Sequence, residues 1–299
     1  MRRMRFGIIP LDFNEAIKKL TSVNPLIRRS VSLKKYAVKA IESGFKHIEI
    51  PLDILQVYPK LLDKGALREI LDIISAWKIS ISAHLPIWGI ELSWVNEDIR
   101  RASVKTVVKS IKYVDILEPE YYVLHVAGKQ VSEFALLSYT KKPMRKVCKV
   151  LAQYAVRSID EIVRKTDLDS ELLALETVMF PYDLTLEVAR RTGASFLVDT
   201  GHVLSGQCGN VDLYRILDEV KDMLVGIHLH DAYVKRDSEG NVIRRDHLII
   251  GEGSLDILRF FNKLKEIGFN GPIVIELSLP GAIESLRRLH EIIPELFKV

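Results

Sequence analysis

Cysteine is nearly missing from this chain: there are two in 299 residues, Cys148 and Cys208, with no CxxC or zinc-ribbon spacing. That excludes a disulfide-stapled scaffold and fits a reducing compartment, so a cytoplasmic location is expected. Uncharged apolar stretches of the roughly 18 residues a bilayer span needs are also missing, and no membrane partner is expected. The opening MRRMRFGIIPLDF is basic, but its apolar run is too short to read as a signal peptide. Charge of one sign is not in large excess. The net charge of +4 demands neither nucleic acid nor a membrane surface. Linkers rich in Pro, Gly or Ser are missing too, and the composition has no break, so residues 1–299 read as a single domain.

What is present is apolar and regularly spaced. Hydrophobic residues make up 48% of the chain, enough for a sizeable core. Short runs alternate with longer amphipathic patterns. The runs are RFGIIP from Arg5, HIEIP from His47, SISAHLP from Ser80, YYVLHVA from Tyr121, LLALET from Leu172, SFLVDTGH from Ser195, GIHLHDA from Gly226 and PIVIELS from Pro272. Most are nearly continuous in apolar residues, as strands covered on both faces are. The segments between them carry helix signals. Ser32 caps one helix that Gly44 stops, Asn96 caps a second, and a third runs from Ser254 to Gly268. Eight strand–helix repeats in one chain of this size predict an α/β fold, a single (β/α)8 TIM barrel. A doubly wound open sheet is the competitor, but the first strand–helix turn lacks GxGxxG.

In a barrel of this kind the site lies at the C-terminal ends of the strands. Seven of the eight runs deliver a carboxylate or imidazole there: Glu49, His84, His125, Glu176, Asp199 with His202 beyond it, His228 with His230 and Asp231, and Glu276. A lone strand-end histidine is ordinarily structural. Several carboxylates crowded into one small volume are costly without a cation, however, because like charges that close cannot all stay ionised. Carboxylates with neutral imidazoles suit Zn²⁺, Mn²⁺, Co²⁺ or Mg²⁺, so a divalent metal cofactor is expected.

The motifs AHLP, VLHVAG, LALET, VDTGH, IHLHDAY, DHLIIGEGSLD and IVIEL, in that order, resemble the xylose isomerase-like TIM-barrel superfamily. It holds sugar and sugar-phosphate isomerases and epimerases together with endonuclease IV-type AP endonucleases (AP endonuclease family 2). The resemblance implies a single metal on Glu176, Asp199, His228 and Glu276, with His202 and His247 binding substrate or orienting ligands. In the endonuclease branch it implies a first zinc on His84, His125 and Glu176. The third zinc of that branch takes a histidine matching His202 and an Asp-x-His, but Arg245 stands where that aspartate belongs, ahead of His247. Asp246 is adjacent, and neighbouring side chains along a strand point differently.

The resulting expectation is a metal-dependent sugar or sugar-phosphate isomerase or epimerase in which Glu176 and Glu276 move a proton next to a carbonyl. Glu49, His230, Asp231 and Arg245 are candidate substrate-binding residues at the rim. The GEGSLD turn, through the backbone of Gly251 and Gly253 and with Arg244 or Arg245 helping, is a candidate phosphate seat. The long segments 128–143 and 233–250 are expected to be loops able to close as lids, with Trp88 and Trp94 forming an apolar wall. The alternative is an endonuclease IV-like zinc phosphodiesterase acting on abasic DNA. His84 and His125 favour it, as do basic residues on presumed rim loops, Lys141, Lys142, Arg145, Lys235, Arg236, Arg244 and Arg245. Arg245 and the modest net charge weigh against it. A barrel that binds a ligand without turnover is disfavoured by the full ligand set. Association with further copies of the chain into a homo-oligomer is left open.

Overall fold

The eight apolar runs form eight parallel strands in the computed structural model, which describes residues 4–11, 13–24 and 31–297. They are β1 (Arg5–Ile8), β2 (His47–Pro51), β3 (Ser80–His84), β4 (Tyr122–Leu124), β5 (Leu173–Glu176), β6 (Ser195–Asp199), β7 (Leu224–Leu229) and β10 (Pro272–Ile275). β1 pairs with both β2 and β10, so the ring closes in the order β1-β10-β7-β6-β5-β4-β3-β2. Closure removes the open edges of a doubly wound sheet and establishes a (β/α)8 barrel.

Alternation along each strand sorts the side chains. Ile48, Ile50, Ile81, Ala83, Leu173, Leu175, Phe196 and Val198 point outward and join the main core with the surrounding helices. The intervening positions fill the barrel, where Tyr121, Val123, Ala174 and Leu197 make a separate small cluster. The same alternation turns Glu49, His84, Glu176, Asp199 and His228 inward at the upper end. Burying each outward Ile or Leu contributes about 1.5–3 kcal/mol.

The helix signals act through specific caps. The Ser32 hydroxyl accepts from the Lys35 N–H at the start of helix Leu33–Glu42, and Gly44 ends that turn at φ 100°. Asn96 accepts from the N–H groups of Asp98 and Ile99 at the start of Glu97–Val114. The helix expected from Ser254 begins instead at Ile257, because Asp256 is the residue whose side chain accepts from Arg259 N–H. The Ser254 hydroxyl donates to the Ala232 carbonyl.

Two segments expected as loops have regular structure. Residues 129–138 form helix Lys129–Ser138. The segment 233–250 falls mostly in an antiparallel hairpin of β8 (Asp231–Arg236) and β9 (Val242–Leu248). Its register shifts between Asp231 and Tyr233: Asp231 pairs with Leu248 but Tyr233 with Arg245, leaving one extra residue on β9. His247 sits in this bulge with φ 52°. Among the described residues no helix is long and apolar enough to cross a membrane.

Candidate metal centre

The inward residues at the upper strand ends converge. Glu176, Asp199, His228 and Glu276 each place one ligand-type atom within 4.8 Å of the others. His228 Nδ1 lies 3.3 Å from Glu176 Oε1, 3.6 Å from Glu276 Oε2 and 3.8 Å from Asp199 Oδ2. Ligand atoms around an ion with bonds of about 2.1 Å sit roughly 3.0–3.4 Å apart, so this cluster is one small contraction from a coordination shell. A second group, His84, His125 and Glu176, shares Glu176, and a third, His202, His230, His247 and Glu276, shares Glu276.

The residues fit a cation on a further observation. His125 Nε2, Glu176 Oε2, His202 Nδ1, His228 Nδ1 and Glu276 Oε2 are buried without a well-directed hydrogen bond. Orphaned polar atoms of this kind are rare in folded proteins, and here they face one another. Burial would lower the imidazoles, yet the carboxylates around them win. His84 is raised to about 9 by the Glu176 carboxylate beside it, and His202 to about 9 by Asp199 and Glu176. His247 is raised to about 10 by Asp246 and Glu276. Burial would also raise Glu176 and Glu276. The charges of His125 and His228 hold Glu176 well below the usual carboxylate range, and His228 and His247 do the same for Glu276. The cluster therefore draws positive charge to one spot.

Several rim residues have different partners from those expected. Glu49 does not face the cavity. It is fully buried, with Oε1 2.9 Å from His228 Nε2 and Oε2 accepting from the Ser82 hydroxyl at 2.7 Å. It thus turns His228 so that Nδ1 looks into the cluster, as carboxylates do behind metal-ligating histidines.

Asp231 does not face the cavity either. Its Oδ1 accepts from the N–H groups of Ala232 and Leu255, and its Oδ2 from those of Gly251 and Gly253. The cup of N–H groups offered to a phosphate is therefore filled by the protein's own carboxylate. Gly253 is glycine because a Cβ there would lie 2.2 Å from Asp231 Oδ1. Arg288 closes the turn from outside, donating to the Ile250 carbonyl and to Glu252.

Arg245 lies exposed on the hairpin and does not line the cavity, and Arg244 donates to the Ser205 carbonyl. The bulge breaks the alternation that set Asp246 aside. Its carboxylate approaches His247 Nδ1 at 3.4 Å and accepts from the Gln207 amide. A bulge beside a site commonly re-aims a side chain in this way.

His230 is fully buried, with Nε2 3.1 Å from Asp199 Oδ2 and Nδ1 accepting from the His247 N–H at 2.8 Å. Both ring nitrogens are therefore engaged, which leaves His202, His247 and Glu276 as the open members of the third group. A Cβ on Gly201 would sit 2.0 Å from His230 Cε1 and Nδ1. Gly201→Ala is accordingly expected to cost about 1–3 kcal/mol through overpacking. A lower denaturation midpoint reads this out, and an unchanged midpoint would mean that the ring moves aside freely.

A cavity of about 860 Å³ opens above the cluster. His84, His125, Glu176, His202, His247 and Glu276 line its floor, and Ile87, Trp88, Ile249 and Leu277 line its wall. Trp88 is held there by Asp53, whose Oδ1 accepts from the N–H groups of Ile87 and Trp88. Asp53 lies two residues beyond β2, outside the motifs that mark the rim in the sequence. Trp94 packs at a tilt against Phe134, with ring centroids 5.9 Å apart, and is not among the residues that line the cavity.

The fold and its rim together define a closed parallel α/β barrel with carboxylate–imidazole clusters that could hold a metal ion. The chain belongs to the family described as the xylose isomerase-like TIM barrel, whose model matches residues 37–292. It is 22% identical over 238 residues to an uncharacterized protein of Methanocaldococcus jannaschii, covering 75% of this chain and 74% of that protein. Its structure is similar to that of a D-tagatose 3-epimerase-like protein, with a TM-score of 0.66, 21% identity, and coverage of 99% of this chain and 100% of the other. It is also similar to the 3-keto-D-glucoside 4-epimerase YcjR of E. coli, with a TM-score of 0.64, 15% identity, and coverage of 97% and 100%. At these identities the two structures are evidence of a common fold.

Proposed function

We propose that the chain is a divalent-metal-dependent isomerase or epimerase of a sugar, sugar phosphate or related keto compound. The pair Glu176 and Glu276 carries this reading. They come from β5 and β10, three places apart around the eight-strand ring. Glu176 Oε1 and Glu276 Oε2 lie 3.3 and 3.6 Å from the same His228 Nδ1, each glutamate has one buried oxygen without a well-directed hydrogen bond, and both border the cavity. Glu176, Asp199, His228 and Glu276 would hold the ion, which when bound supplies Lewis acidity to a carbonyl and its neighbouring hydroxyl. Approaching from different directions, the two glutamates suit removal of a proton from the hydroxyl-bearing carbon next to the carbonyl and return of a proton to its other face. Return to the neighbouring carbon would instead interconvert an aldose and a ketose. His202 and His247 would bind substrate oxygens, and Trp88 with its apolar neighbours would cover a sugar face. The likeness to proteins named as epimerases supports the assignment.

Incubation of the metal-loaded protein with free and phosphorylated ketoses in D2O tests it. Deuterium is expected at the carbon next to the carbonyl of the preferred substrate, and the idea fails if no ketose exchanges.

The His84, His125 and Glu176 group favours one second reading, a zinc phosphodiesterase acting on abasic DNA. His84 donates Nδ1–H to the Leu85 carbonyl and turns Nε2 toward Glu176, a ligand-like pose. Metal content separates the two readings. One tightly held ion per chain is expected, measured by elemental analysis after dialysis. Three zinc ions per chain together with incision of an abasic oligonucleotide would move the assignment to the phosphodiesterase.

A further inference from the structure

Below the ligand cluster a column of polar side chains runs down the barrel, and the chemistry at the rim leaves it unused. His47 on β2 is fully buried, with Nδ1 2.8 Å from Ser80 Oγ and Nε2 2.9 Å from Ser82 Oγ. Ser82 Oγ donates to Glu49 Oε2 at 2.7 Å, and Glu49 Oε1 meets His228 Nε2 at 2.9 Å. The links zigzag across the β2–β3 pair, where His47 is in register with Ser80 and Glu49 with Ser82, then cross to β7. Room for the ring comes from β1: a Cβ on Gly7 would sit 2.8 Å from His47 Cδ2. Buried polar groups are costly unless each finds a partner, so a column this long inside a barrel calls for a reason.

The direction of every bond follows from counting protons. Glu49 as a carboxylate only accepts, so Ser82 must give its single O–H to Oε2. The Ser82 oxygen can then only accept from His47, which places the His47 ring proton on Nε2. His47 Nδ1 is left with its lone pair and takes the Ser80 O–H. Burial pushes the His47 imidazole down to about 3, so the ring is neutral and has the single N–H this pattern requires. From the other side His228 gives Nε2–H to Glu49 Oε1. All the donors run toward Glu49, and both of its oxygens are satisfied.

The geometry points to Ser82 and His47 as positioning residues for the metal centre. Through Glu49 they fix which nitrogen of His228 faces the ligand cluster, and they do so from the far side of the barrel. The assignment rests on the metal-binding reading of Glu176, Asp199, His228 and Glu276. Without the Ser82 hydroxyl, one Glu49 oxygen is buried unpaired, the carboxylate is free to turn, and His228 loses the partner that orients it.

Co²⁺ titration of the metal-free protein tests this, reading affinity and the visible absorption bands of the bound ion in wild type, Ser82→Ala, His47→Phe and His47→Gln. Ser82→Ala and His47→Phe are expected to weaken Co²⁺ binding about tenfold, the lower end for partners behind a metal ligand, and to shift the bands. His47→Gln keeps an amide N–H that can donate to Ser82, and is expected to retain affinity within about twofold of wild type by preserving that bond. Variants with a lower thermal midpoint but unchanged affinity and bands would show a purely structural column and overturn the positioning role alone. A wild-type protein that binds no Co²⁺ would overturn the metal reading together with it.

Discussion

Glu276→Gln is expected to lower turnover by about 10²–10⁴-fold while leaving the fold intact. The substitution keeps the shape and replaces the proton-accepting carboxylate with a neutral amide. In the wild-type protein Glu276 Oε2 is buried, has no well-directed hydrogen bond, and lies 3.6 Å from His228 Nδ1 and 3.7 Å from His247 Nε2. Burial works against its negative charge, and the charges of His228 and His247 more than restore it. The carboxylate is thereby kept ionised and able to accept a proton, and the same charges weaken it as a base. Because Glu276 is also a proposed ligand, the measurement must be made at saturating metal, with bound ion counted in parallel. A variant that fills with metal but does not turn over assigns the loss to proton transfer. Full activity in that variant would show that the proton moves by another route. Glu176→Gln is the matching experiment on the other face; Glu176 and Glu276 each belong to two of the ligand groups, so both variants need the same count of bound ion.

The parts of this site visible in the sequence are those that depend on position along a strand. Strand-end placement brings Glu176, Asp199, His228 and Glu276 forward among the other rim acids and imidazoles, because a barrel collects strand ends without regard to sequence distance, and the family resemblance is what groups those four as one ligand set. Partnerships were harder to see. Glu49 and His228 are 179 residues apart, and nothing in HIEIP says that its glutamate faces a histidine and a serine and not the solvent. Asp231 illustrates a second limit: a glycine turn with free N–H groups and a carboxylate next to it can bind an anion or contain one, and only the close approach at Gly253 decides. The third limit is local irregularity. Asp246 was set aside by strict alternation, and a one-residue bulge with His247 at positive φ cancels that rule. The hairpin itself was read as a loop because its strands are largely exposed and charged, and so lack the apolar run that marked the barrel strands.

Asp231→Asn is expected to destabilise the protein by about 2–4 kcal/mol, although no atom changes size appreciably and the residue lies off the cavity. The wild-type carboxylate gathers four backbone N–H groups, two on each oxygen, all at 2.9–3.0 Å. An amide offers one oxygen and one NH2. Two of the four donors would face another donor, and each N–H left unpaired in a buried place costs about 1–3 kcal/mol. Gly251 and Gly253 are exposed, so water relieves part of that loss, whereas Leu255 is buried and gets little help. Asp231→Ala removes both acceptor oxygens but opens space for water, so the isosteric change should be about as harmful as the truncation. In a chain of 299 residues the thermal midpoint should fall by roughly 3–6 °C. A midpoint within a degree of wild type for both variants would mean that the turn finds other acceptors, and that the N–H cup is available to an anion after all. The consequence reaches the site, because Asp231 anchors the first residue of β8 beside His230, which holds Asp199. Loss of the anchor should therefore weaken metal binding less than it weakens the fold, the reverse of the order expected for Ser82→Ala.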